Sequence, residues 1–96
     1  MPTFDVAERF VRDLTQLDTR QRRAFDRAVS RFVAGLKAGQ MPPGLRVKGL
    51  QAAPGVFELT WAPDGRATFS YGAPVVEGQA HVVWRRVGTH AIFGMP

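Results

Sequence analysis

Up to Ala38 the apolar positions of this chain recur at helical spacing; from Leu45 onward they alternate. Ala7, Phe10, Val11, Leu14 and Leu17 mark the inner face of a first helix. On its outer side Glu8 and Arg12, and Arg9 and Asp13, stand four residues apart, a spacing at which opposite charges add roughly 0.2–0.5 kcal/mol per pair. Asp18 is placed to cap a second helix, with Gln21 in position to complete a capping box. Phe25, Ala28, Val29, Phe32 and Leu36 fall on one face of that helix, which runs to about Ala38. Gly39 and the pair Pro42-Pro43 end it. Phe4 and Val6, ahead of both helices, suit a short first strand.

The alternating half contains four further segments, LRVKGL, VFELTW, RATFSY and AHVVWRRV, each fit for a strand of about 6–8 residues. Between the second and third lies APDG. Pro63 and Asp64 suit the centre of a type I turn, and Gly65 the left-handed bulge residue after it. GAPVVEGQ joins the last two segments. The expected architecture is α+β, a single domain over residues 1–96. It has a short N-terminal strand and two helices packed on one face of an antiparallel meander of about four strands.

This arrangement has a consequence for the polar residues. A hairpin closed at APDG pairs Thr60 with Arg66 and Glu58 with Thr68. Phe57, Leu59, Trp61, Ala67, Phe69 and Tyr71 then face the helices, and Glu58, Thr60, Arg66 and Thr68 face away. Arg46 and Lys48 alternate with Leu45 and Val47 and join that polar face. The last strand returns antiparallel, with Arg85 or Arg86 near Arg66, and His90 falls at the same end of the sheet as Arg66. Which of the two arginines faces the polar side is open, because both faces of that strand are partly apolar. The ordinary reading of Glu58 and Arg66 is a cross-strand ion pair on a wet sheet, worth under about 1 kcal/mol. His81, at a strand start, reads as structural, and Trp61 and Trp84 as core.

Charge sharpens the picture. The 96 residues carry a net charge of +5 at pI ≈ 11.1. Eleven of the 13 basic residues are arginine, whose planar fork matches phosphate. Arg20, Arg23, Arg27 and Arg31 form a stripe on the second helix opposite its apolar face, either a solvated surface or a line of phosphate contacts. The absence of cysteine excludes disulfides, thiolate metal sites and thiol nucleophiles. Two histidines nine residues apart without clustered carboxylates do not make a metal site, and no phosphate-loop or dinucleotide fingerprint is present. The N-terminus lacks the pattern of a signal peptide and no apolar run would span a bilayer. The expectation is a cytoplasmic protein with no cofactor, no metal and no membrane contact.

The run GVFELTWAPDGRATFSYG, preceded by LRVKGL and followed by HVVWRRVGTHAIF, resembles the RelE/ParE superfamily of small bacterial toxins, nearest to its RelE and HigB members. The resemblance implies the toxin of a type II toxin–antitoxin system, neutralised by a partner antitoxin. In RelE-like members it further implies cleavage of mRNA on the ribosome. Matched to this sequence, Arg66 and His90 take the active-site positions, with Glu58 as a further catalytic candidate. Arg46 and Lys48 are the RNA-binding candidates on the earlier strand, joined by Arg85 and Arg86 on the last. Ala91 and Phe93 stand where many active members carry a tyrosine or an Asp-Tyr-like pair, and Glu58 replaces a lysine of one branch. The alternative implied by the wider superfamily is a non-catalytic protein that binds an antitoxin or inhibits DNA gyrase. The chemistry expected of the first reading needs no metal: the RNA 2′-OH attacks the adjacent phosphorus, with groups nearby to move two protons and stabilise charge.

Overall fold

The computed structural model describes every residue from Met1 to Pro96. Strand β1 (Thr3–Val6) leads into helices α1 (Glu8–Gln16) and α2 (Thr19–Ala38). A 3-10 turn, Pro43–Leu45, precedes β2 (Lys48–Gly49), β3 (Val56–Thr60), β4 (Gly65–Gly72) and β5 (His81–Thr89), and a second 3-10 segment, His90–Gly94, follows. The five strands form one sheet in the order β1-β5-β4-β3-β2. The expected meander is present, and β1 extends it by pairing with β5 in parallel, Thr3 beside His81 and Val6 beside Trp84.

The ends of α2 are those the sequence marks. Gln21 donates its backbone N–H to Asp18 Oδ1 at 2.7 Å, and Asp18 donates its own to Gln21 Oε1 at 2.9 Å. Such a cap contributes about 1 kcal/mol. Gly39 closes the helix in the left-handed region. Against the sheet, the rings of Phe10, Phe25, Phe32 and Phe69 surround Trp84, with centroids 5.3–5.8 Å from it. All five side chains are buried. Removing a ring so placed costs about 3–5 kcal/mol. Tyr71, at the far end of this face, packs edge-on against Phe57 and Phe69, and partial burial pushes its phenol pKa above the ordinary value.

Four local expectations change. The LRVKGL segment is mostly not a strand: Leu45 ends a 3-10 turn, Arg46 is left-handed, and β2 is two residues long. The β3–β4 register is the expected one, Thr60 opposite Arg66 and Glu58 opposite Thr68. Gly65, however, is not among the residues of positive φ. Its requirement is steric, since a Cβ there would stand 2.5 Å from the Trp61 indole. The β4–β5 register is displaced from expectation, with Arg66 opposite Gly88 and an irregularity between Thr68 and Phe69. Trp84 and Val87 consequently both reach the helix side, which simple alternation forbids. Finally, Asp13 does not pair with Arg9. Beyond Val6 the outer edge of β5 has no strand beside it, and Asp13 of α1 fills that role. Its Oδ2 accepts from Val87 N at 3.1 Å and from Arg86 Nε at 2.6 Å, and its Oδ1 accepts from Arg86 Nη2 at 3.2 Å.

The face away from the helices is also partly covered. Ile92 is buried, and a Cβ on Gly88 would come within 3.0 Å of it. The segment after β5 thus folds back over the sheet. Thr68 is fully buried on this side and Glu58 is 8% exposed, so the expected open polar face is reduced to one end.

Candidate active site

At that end lies an open cleft of about 280 Å³. Lys48 and Arg46 border it from β2 and the residue after the 3-10 turn, Glu58 and Thr60 from β3, and Arg66 from the start of β4. His90 and Phe93 border it from the segment after β5. The sequence expectation that Arg66, His90, Glu58, Arg46 and Lys48 share one place is therefore met in geometry.

Each side chain has a local reason for its position. Lys48 pairs with Glu58 across the β2–β3 ladder, and its Nζ lies 3.5 Å from Glu58 Oε1. The lysine is largely exposed and the carboxylate nearly buried, so Lys48 supplies the counter-charge that Glu58 lacks from water. Arg46 reaches the cleft from φ 50, ψ 44, a conformation unusual for a side-chain-bearing residue. Arg66 leaves the hairpin with Nη1 folded onto the turn, near the carbonyls of Ala62 and Pro63, each at 3.2 Å, and of Gly65 at 2.9 Å. One nitrogen thus anchors the guanidinium. Nε and Nη2 have no protein partner among the hydrogen bonds and are available to an anion. Trp61 stiffens the same turn by donating its indole N–H to the Arg66 carbonyl at 2.9 Å.

His90 is exposed at the mouth of the cleft. Thr89 opens the 3-10 segment by accepting from Ala91 N at 3.3 Å. Residues three apart in a 3-10 turn lie above one another. Phe93 accordingly meets the imidazole edge-to-face, centroids 4.8 Å apart at 82°. Phe93 cannot transfer a proton, but it orients the ring that can. The i,i+3 spacing of His90 and Phe93 carries this signal in the sequence, although only a 3-10 turn reveals it.

Arg85 and Arg86 lie elsewhere. The displaced register sets Gly88 opposite Arg66 and leaves the two arginines in the middle of β5, with Arg86 opposite Thr68. Arg86 is held by Asp13 and by the Met95 carbonyl at 2.9 Å, and Arg85 donates Nε to the Pro96 carbonyl at 3.2 Å. Neither borders the cleft. His81 is tied to Thr3 Oγ1 at 2.7 Å through Nδ1 and lies 3.4 Å from Asp5 through Nε2, joining β1 to β5 as a structural histidine. No group of three His, Cys, Asp or Glu side chains is arranged to hold a metal ion, and no helix is long and apolar enough to cross a membrane.

No family model matches the sequence, and no curated protein matches it either. Solved structures do resemble it. The E. coli DinJ-YafQ complex contains a chain that superposes with TM-score 0.70 at 15% identity, over 95% of this chain and 96% of that one. A metal-bound toxin from Helicobacter pylori gives TM-score 0.63 at 17% identity, over 95% and 97%. The RelB-RelE antitoxin-toxin complex from Methanococcus jannaschii gives 0.61 at 16%, over 96% and 99%. From end to end, then, two helices on a mixed five-stranded sheet give this chain the fold of the RelE-like toxins.

Proposed function

We propose that this protein is the toxin of a type II toxin–antitoxin pair and that it cleaves mRNA on the ribosome. The observation that carries the proposal is the cleft itself. Three cations, one carboxylate and one imidazole meet at one open end of the sheet. The set matches what RNA strand scission requires without a metal. The 2′-oxygen attacks the neighbouring phosphorus, the bond to the 5′-oxygen breaks, and the products are a 2′,3′-cyclic phosphate and a 5′-hydroxyl. His90 and Glu58 are the two groups able to move protons, one accepting from the 2′-OH and the other supplying the leaving oxygen. Arg66, anchored through Nη1, directs its remaining donors at the phosphoryl oxygens, where charge grows in the transition state. Lys48 and Arg46 hold the flanking backbone. Arg85 and Arg86 have no part in this cleft.

An antitoxin partner is supported by the company of the fold, since structures that share it include toxin–antitoxin complexes. A second reading has its own support. Ala91 and Phe93 offer no proton beside His90, which suits a protein that binds an antitoxin or inhibits gyrase without cutting RNA. The two readings separate on induction of the chain in a bacterial host. The nuclease reading expects translation to stop within minutes, and Arg66→Ala or His90→Ala to relieve the block at equal protein level. Continued translation, or an undiminished block in both variants, contradicts it.

A further inference from the structure

A second feature lies beside the cleft. Arg27 and Arg31, one turn apart on α2, are exposed and pair with no carboxylate; the helix's one ion pair is Arg22–Asp26. Like charges at this spacing repel, at a cost of a few tenths of a kcal/mol, roughly. Both arginines border a groove of about 350 Å³ between α2 and the β3–β4 hairpin. Gly44 keeps room for one of them, since a Cβ there would come within 3.1 Å of Arg31 Nη2. The groove adjoins the cleft. Thr60 borders both, and Leu45 in the groove is followed in the chain by Arg46 in the cleft. Trp61 supplies an apolar wall.

Unpaired cations along a groove with an aromatic wall suit a single nucleic-acid strand, with cations on the backbone and the ring against a base. Arg27 and Arg31 stand about 6 Å apart along the helix axis, a reach that lets each meet its own phosphate. We propose that this groove carries the single-stranded RNA continuing from the scissile phosphate, with Arg27 and Arg31 on two backbone phosphates and Trp61 beside a base. The proposal rests on the reading of the cleft as an RNA site. It gives half of the arginine stripe on α2 a ligand and sets the length of RNA the protein grips.

Fluorescence anisotropy with 2′-O-methyl oligoribonucleotides, which cannot be cleaved, tests it. The full chain is expected to bind a dodecanucleotide more tightly than a trinucleotide. Arg27→Ala/Arg31→Ala should lose about tenfold of that advantage and leave the trinucleotide affinity unchanged. Its salt dependence on the long strand should become shallower by about 1.4 in log–log slope, as expected for two phosphate contacts. Arg27→Gln/Arg31→Gln should behave alike, and Arg12→Ala/Lys37→Ala, with the same change in charge, should keep the advantage. An unchanged length advantage in both groove variants, or an equal loss in the control, overturns the groove and leaves the cleft standing. Failure to bind either oligonucleotide, or a trinucleotide affinity indifferent to Arg66→Ala, overturns the cleft and the groove together.

Discussion

Arg46 is the one non-glycine residue with positive φ, and it stands at the cleft. A side chain in the left-handed region costs roughly 1–2 kcal/mol, and such strain persists where the surroundings or a function hold it. Arg46→Gly is therefore expected to leave stability unchanged or raise it by up to about 1 kcal/mol in a denaturant melt. The same variant should bind RNA less tightly. A destabilised variant with full RNA affinity would mean that the conformation serves packing alone. Arg66 and His90 show the same principle with less strain. One is anchored by turn carbonyls and the other by the ring of Phe93, so each has part of its freedom already removed. That the two stand at one end of the sheet was legible, because a meander returns the last strand to the residue after the hairpin. Their supports were not, because carbonyl anchors and ring edges depend on turn geometry that no residue type announces.

Strand β5 is the element on which the molecule turns. Near its start β1 pairs with it in parallel, and farther along α1 takes over through Asp13. Asp13→Ala would strand the Arg86 guanidinium, only 16% exposed, and leave the Val87 N–H without its acceptor. The expected loss is about 2–3 kcal/mol in chemical denaturation, with the cleft residues in place. A loss under about 0.5 kcal/mol, the scale of an ordinary surface change, would show that the edge is satisfied some other way. The helices and the β3–β4 register were readable in the sequence because periodicity, caps and a short turn act locally. The β4–β5 register was not, since an eight-residue connection leaves it open and the irregularity at Thr68/Phe69 absorbs a residue. That slip set Gly88 opposite Arg66 in place of either arginine, and Arg85 and Arg86 are held instead by Pro96, Asp13 and Met95. Asp13 was misassigned for a related reason: a local partner four residues away is visible in a sequence, whereas an edge N–H on a distant strand is not.

As a whole the molecule divides its labour by face. One side of the sheet holds an aromatic core under two helices. The other is closed by the segment around Ile92 except at the end where the cleft opens. A net charge of +5 and a groove of unpaired arginines beside that opening favour a polyanion over a neutral or cationic partner, and the proposed RNA binding should weaken steeply with salt. What the sequence conveyed at this scale was the convergence of the ends: the residue after the hairpin and the residue after the last strand meet because the meander brings both to one edge. The burial of Glu58 and Thr68 could not be foreseen from alternation, which reports two faces but not what later folds over them. The central claim is that the Arg66–His90 cleft cuts RNA by attack of its own 2′-oxygen. Its most direct test is to map the 5′ ends of cellular messages, and their chemical nature, shortly after induction. New 5′-hydroxyl ends inside translated messages, absent with Arg66→Ala and with His90→Ala, are the result expected. Arrested growth with intact messages, or the same ends in both variants, would contradict it.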